Sequence, residues 1–443
     1  MTRTTRRTTR GAALRGTAVV GALALTLTAC GGGEGDADPE AAAEEGGELT
    51  VWAWDPTVEP IAEAYMEANP DVTIEIVNAG TGNDQYTALQ NAIAAGSGVP
   101  DLAQVEYYAL PQFSIGEALT DLSDLGATEL DGAFTPGPWT AVSQGEGIYG
   151  LPLDSGPMAL FYNAAVFDEH GVEVPTTWDE YVEAARALHQ ADPAVSITND
   201  TGDAGFTTSM IWQAGGNPYT VDGTDVTIDF SDEGSQAFAE TWQQLVDEEL
   251  VAPISSWSDE WYQGLGNGTI ATLTIGAWMP GNFESGVPDA SGDWRVAPMP
   301  QWSEGEQATA ENGGSAMSVL ESGENDNAAL AYDFLEFAAN GDGVQIRLDG
   351  GGFPATTADL ESEEFLEREY EYFGGQKINE VLAQSAADVV EGWQYLPFQV
   401  YANSIFNDTV GQAYVSGTPL TDGLASWQEA SIAYGNDQGF TVD

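Results

Sequence analysis

Between Leu49 and Val105 short apolar runs alternate with stretches of helical periodicity, and this alternation constrains the fold more than any other feature. Leu49 to Trp54 reads as a strand closed by Asp55-Pro56. Ile61, Tyr65 and Ala68 then mark one face of a helix that ends at Asn69-Pro70. Val72, Ile74 and Ile76 alternate with Thr73 and Glu75 as a second strand. A second helix opens near Asp84, with Tyr86, Leu89 and Ile93 on its apolar face and Gly96 as its stop, and Leu102 to Val105 gives a third strand. Strand, helix, strand, helix, strand predicts an α/β fold with a mostly parallel sheet.

Cysteine and charge set the conditions under which this fold must hold. The single cysteine is Cys30, so no intramolecular disulfide is available and stability must come from a packed core. All 71 acidic residues follow Cys30, whereas five of the ten basic residues precede it. A chain with that balance excludes electrostatic binding to nucleic acid or to an anionic bilayer surface. It also suggests adaptation to high salt, where screening relieves self-repulsion. The expected result is a melting temperature that rises between low and molar salt; a flat one rules the adaptation out.

The basic residues before Cys30 have a pattern of their own. Arg3, Arg6, Arg7, Arg10 and Arg15 precede an apolar stretch, Thr17 to Thr28, that is too short for a stable membrane span, and Leu27-Thr28-Ala29-Cys30 closes it. The segment resembles a bacterial lipoprotein signal, which implies removal of residues 1–29 and lipid attachment at Cys30 on the extracytoplasmic face of the cell membrane. Residues 30–48 are glycine-rich and acidic, without aromatic or β-branched side chains, and read as a flexible tether with a reach of roughly 20–25 Å.

Further along, Pro175-Thr176-Thr177-Trp178-Asp179-Glu180 opens a helix as a capping box, with Tyr181, Ala185 and Leu188 on the buried face and Asp192-Pro193 as the stop. Together with Leu160-Phe161-Tyr162-Asn163, Phe167 and His170-Gly171, this stretch resembles the signature of extracellular solute-binding proteins of carbohydrate ABC transporters, the maltose-binding-protein-like family. The segments Ile275 to Asn282, Gly313 to Ala316 with the helix from about Ala329 to Ala338, and Gly352 to Ala355 agree in order. The resemblance implies a two-lobed periplasmic-binding-protein-like (type II) fold with a ligand cleft between the lobes. By analogy the chain crosses near Leu151 to Gly156, Ala310 to Gly314 and Gly350 to Pro354. Lobe one then holds 49–152 and 313–349, and lobe two 153–312 and 350–443.

Catalytic patterns are absent. His170 precedes a glycine and His189 falls in the last turn of a helix, and no zinc-protease, hydrolase-elbow, phosphate-loop or dithiol motif occurs. No enzymatic activity, cofactor or metal is expected. After Cys30 the only cationic residues are Arg186, Arg295, Arg347, Arg368 and Lys377, none at a predicted strand end, so a carboxylate or phosphate ligand is disfavoured. A neutral or cationic ligand fits better.

Aromatic residues point the same way. Trp52 and Trp54 follow the first strand, Tyr107 and Tyr108 the third, and Trp278 the apolar run Thr272 to Ile275; the carboxyl ends of parallel strands are where open α/β sheets bind ligands. An indole offers a flat apolar platform to a sugar ring while nearby carboxylates and amides bond its hydroxyls. Trp178, Trp212 and Trp242 are assigned to packing. Trp54, Asp55, Asn83, Asp84, Glu106, Tyr107 and Asp154 are the candidates on the first lobe and the crossing. The resemblance adds Trp278, Trp393 and Tyr395, and Gly314 and Ser315 as backbone donors. The function expected is a lipid-anchored monomer that captures a neutral mono- or oligosaccharide and hands it to ABC transporter permease subunits. A polyamine-binding protein of the same fold, a secreted glycoside hydrolase and a surface adhesin are the alternatives.

Overall fold

A computed structural model describes residues 39–199, 203–321 and 327–443. Cys30, the signal-like segment and the first part of the expected tether lie outside the described residues. The end of that tether differs from expectation: Pro39–Glu45 is a helix whose Ala43 packs against the Ala328–Asn340 helix. Proline at its first position, a glutamate in its first turn and three alanines favour the helix, and Ala42 and Ala43 dock it on the first core.

The first three strands form as the sequence predicts. Gly47–Trp52 lies between Val72–Val77 and Leu102–Glu106, all parallel. Ser315–Val319 joins the sheet antiparallel beside Leu102–Glu106, and Leu151–Pro152 closes it. One core belongs to this sheet, built from Leu49, Val51, Leu102, Val105 and Met317 of the strands and Ile61, Tyr65, Phe334 and Leu335 of the covering helices.

The second sheet is antiparallel. Met158–Asn163 pairs on one edge with Thr272–Gly276 and on the other with Trp294–Ala297. Alternation along the central strand separates two cores: Met158 and Leu160 face one cluster with Trp178, Tyr181 and Trp242, whereas Ala159 and Phe161 face another with Trp261, Phe283 and Trp294. The strand is buried on both faces, so its sequence reads as a continuous apolar run. Each large side chain fully buried here contributes about 1.5–3 kcal/mol, which suits a chain without disulfides. Trp178 and Trp242 are core residues as assigned. No helix among the described residues is long and apolar enough to cross a membrane.

Candidate binding cleft

Two extended segments run side by side from one sheet to the other. Leu153 N donates to Ser315 O (2.9 Å), Asn312 N to Gly156 O (2.8 Å) and Met158 N to Ala310 O (2.9 Å), so the crossings at Leu151 to Gly156 and Ala310 to Gly314 form a two-stranded link. A third connection follows the Gly343–Asp349 helix, whose Val344 and Leu348 pack on the second lobe's core while Ile346 packs on the first. Glycine is required there by close approach, since a Cβ at Gly352 would lie 2.6 Å from Arg347 Cγ.

A cleft of about 1060 Å³ opens between the lobes in front of these crossings. Trp54, Asp55, Gln104, Glu106 and Tyr108 line it from the first lobe, Asp154 and Asn312 from the crossings, and Asn199, Asp203, Trp257, Trp261 and Trp278 from the second lobe. The parallel strands deliver the first group by ending there. Buried Gln104 fixes their positions: its Oε1 accepts from the backbone of Trp54 and Asp55 (3.1 Å each), and its Nε2 donates to Ser315 Oγ at 2.9 Å. Ser315 in turn donates from its backbone N (2.6 Å) and its Oγ (2.8 Å) to Asp154 Oδ1.

Burial acts in the same direction on two acid groups of the cleft. Burial pushes the Asp154 carboxyl up, and the Arg347 guanidinium opposes that shift. Burial also raises Glu106, while hydrogen bonds from Tyr86, at 2.9 Å, and Tyr108 pull it back. Arg347, 1% exposed, is ion-paired with Asp55. Arg347 is not at a strand end, as the sequence reading has it, yet its helix brings it to the cleft, where its charge is paired with a carboxylate. The remaining acids leave the cleft negative, and an anionic ligand gains nothing there.

A tryptophan platform lines the same cleft. Trp257 stacks on Trp278 with centroids 5.7 Å apart and planes at 28°, and leans on Trp261 at 4.9 Å. Trp257 is 48% exposed and has φ +67°, a conformation bulky residues rarely adopt. Trp278 is anchored by its indole N–H, which donates to Asn312 O at 2.7 Å. Gly313 permits this approach, for a Cβ there would lie 2.9 Å from the same indole nitrogen. Trp278 reaches the cleft although its strand is antiparallel, so the parallel-strand argument locates it for the wrong reason.

Of the sequence candidates, Trp54, Asp55, Glu106, Asp154 and Trp278 line the cleft together. Ser315 and Tyr107 sit behind the wall, both bonded to Asp154; the Tyr107 hydroxyl donates to its carbonyl at 2.6 Å. Gly314 lies beside them, its φ of +89° and its approach to Tyr107 leaving no room for a side chain. Asn83 and Asp84 open the Asn83–Ala95 helix without lining the cleft, where Thr81 stands instead. Trp393 and Tyr395 are elsewhere. With Trp212, stacked on Trp393 at 5.2 Å, they line a smaller cavity of about 420 Å³ whose other wall is Pro136, Gly137 and Tyr149.

The family model for bacterial extracellular solute-binding proteins matches residues 54–345. The chain belongs to that family. Its fold is similar to the ABC transporter associated binding protein from B. animalis subsp. lactis Bl-04, solved in complex with beta-1,6-galactobiose: 46% identity, TM-score 0.80, 89% of this chain and 99% of that one. It is also similar to the galacto-N-biose-/lacto-N-biose I-binding protein of the ABC transporter from Bifidobacterium longum, solved in complex with lacto-N-biose (25% identity, TM-score 0.77, 90% and 99% covered). An arabinooligosaccharide-binding protein of Halalkalibacterium halodurans is 28% identical over 79% of this chain and 80% of its own length. The two-lobed periplasmic-binding-protein fold is therefore shared across this solute-binding family.

Several cleft residues escape sequence reasoning. Tyr108 and Tyr107 are adjacent, and which of them turns toward the cleft depends on the turn after Glu106. Arg347 lies on a helix rather than at a strand end. Trp257 sits in the loop Ile254 to Ser258, where a tryptophan flanked by serines is the available signal.

Proposed function

We propose that the protein captures a short neutral oligosaccharide in the interlobe cleft and presents it to the permease of an ABC transporter, with a lipid on Cys30 holding it at the extracytoplasmic membrane face. The arrangement that carries this reading is the Trp257–Trp278 platform in one cleft with Asp154 and Glu106, with the cleft's arginine paired with Asp55. Apolar ring faces stack on the indoles and hydroxyls donate to the carboxylates. A volume near 1060 Å³ accommodates a di- to oligosaccharide. The similar protein solved with beta-1,6-galactobiose makes galactobiosides the first ligands to try. Contacts from both lobes favour the closed form, which the permease distinguishes from the open one.

Thermal shift and titration calorimetry with beta-1,6-galactobiose, lactose, arabino-oligosaccharides and spermidine test the reading. At a hundredfold excess over Kd a bound sugar adds about 2.7 kcal/mol of stability. Stabilisation by spermidine with no response to any neutral saccharide would overturn it in favour of a polyamine, which an acidic aromatic cleft also suits. Lipid attachment is read separately, as loss of labelled lipid incorporation in Cys30→Ala.

A further inference from the structure

Behind the crossings lies a carboxyl group that the binding reading does not use. Glu311 is 2% exposed, and its carboxylate accepts from Ser155 Oγ (2.9 and 3.2 Å) and Gly156 N (2.6 Å). Neighbouring residues of an extended segment face opposite ways. On the two crossings Asp154 and Asn312 face the front cleft, whereas Ser155 and Glu311 face the back. There the Pro136–Val142 helix of the first lobe meets Val389 of the second. A Cβ built on Gly137 would lie 3.2 Å from Glu311 Oε1 and 3.3 Å from Val389 Cγ1. The carboxyl is thus covered by a contact between the lobes, on the side of the crossings opposite the cleft.

Rotation about the crossings that brings the front rims together must move these back surfaces apart. We propose that Glu311 is a proton-binding clamp at the back of the hinge, whose deprotonation favours separation of Gly137 from Val389 and with it closure of the front cleft. Among the described residues no Lys, Arg or His forms an ion pair with Glu311. The ionisable groups that act on it or respond to it are Asp154, from the other face of the crossing, and the hydroxyls of Tyr107 and Tyr395. Burial, with the nearby Asp154 charge, pushes the Glu311 carboxyl up to about 7, while its two donors hold it back. Hydration on opening the back returns it toward the ordinary carboxylate range, near 4.3. The sign follows from linkage: the form with the lower pKa gains as pH rises between the two values, and the gain is flat above about pH 7.

The test needs no ligand, so it stands or falls apart from the sugar reading. In the full chain carrying Cys30→Ser, Glu59→Cys and Glu260→Cys place spin labels at exposed sites on the two lobes. The mean label distance is expected to shorten from pH 5 to pH 8, and Glu311→Gln is expected to abolish the change and keep the pH 5 distance. Ser155→Ala, which removes a donor to the ionised form, is expected to move the midpoint to higher pH and serves if the Gln variant does not fold. An unchanged distance in the Glu311 protein, a shift that persists in Glu311→Gln, a midpoint unmoved in Ser155→Ala or lengthening with pH each overturns the proposal.

Discussion

Arg347→Met is expected to lower the unfolding free energy by about 3–5 kcal/mol, the range for removing one partner of a buried ion pair. The cause is local. Arg347 is 1% exposed and faces Asp55, whose side chain is 16% exposed, and the same guanidinium favours the ionised form of Asp154. Without it, Asp154 keeps the Asp55 charge that raises its proton affinity and loses the guanidinium that lowers it. Asp55 cannot turn away, because its Oδ1 accepts from Thr57 N at 2.8 Å and Thr57 Oγ1 at 2.7 Å. Adding Asp55→Asn to Arg347→Met is expected to restore most of the loss, since a neutral pair leaves no uncompensated charge. Urea unfolding of the four proteins at pH 7.5 gives the coupling directly. The deficit should shrink on acidification, as the Asp154 carboxyl, raised by burial, takes up its proton. A single-variant loss below 1 kcal/mol would mean that the pair is effectively solvated.

The same ion pair shows what a sequence can and cannot expose. Trp54, Asp55 and Glu106 were legible because each follows or closes an extended apolar segment, and a strand end has one place to go in a parallel sheet, whereas Asp154 was legible through the crossing that the family resemblance implies. The partner of Asp55 is 292 residues away on a helix whose face is set by how two lobes pack, and nothing local encodes that choice. Trp393 and Tyr395 fail for a related reason. They lie between the Ile378–Ala387 and Gln399–Ser404 helices in a stretch without regular period, and the direction of that loop places them behind the crossings, while Asn403 and Asn407 reach the cleft. Strand direction was likewise hidden in the second lobe, because a strand buried on both faces reads the same whether its neighbours are parallel or antiparallel. The periodic elements and the family resemblance were visible; the long-range meetings were not.

Trp278→Ala is expected to weaken binding of beta-1,6-galactobiose by ~30-fold or more, the loss of 2 kcal/mol or more typical of an interfacial aromatic anchor. Trp278 is half-buried, so the fold loses one indole face and one hydrogen bond, whereas the cleft loses its platform. Trp257 also loses its stacking partner and is left on a strained backbone with only Trp261 beside it. Trp278→Phe separates the contributions: it keeps an aromatic face but cannot donate to Asn312 O, the bond that ties the platform to the crossing. An intermediate affinity for Phe is expected if stacking and anchoring both matter. Phe as weak as Ala would assign the effect to the anchor, and calorimetry of Trp278→Ala within threefold of the native protein would show that the sugar does not lie on this platform. Because Asn312 belongs to a segment that joins the lobes, the indole bond ties the platform to the crossing as well as to the second lobe, so Trp278→Phe is also expected to loosen the platform relative to the crossing.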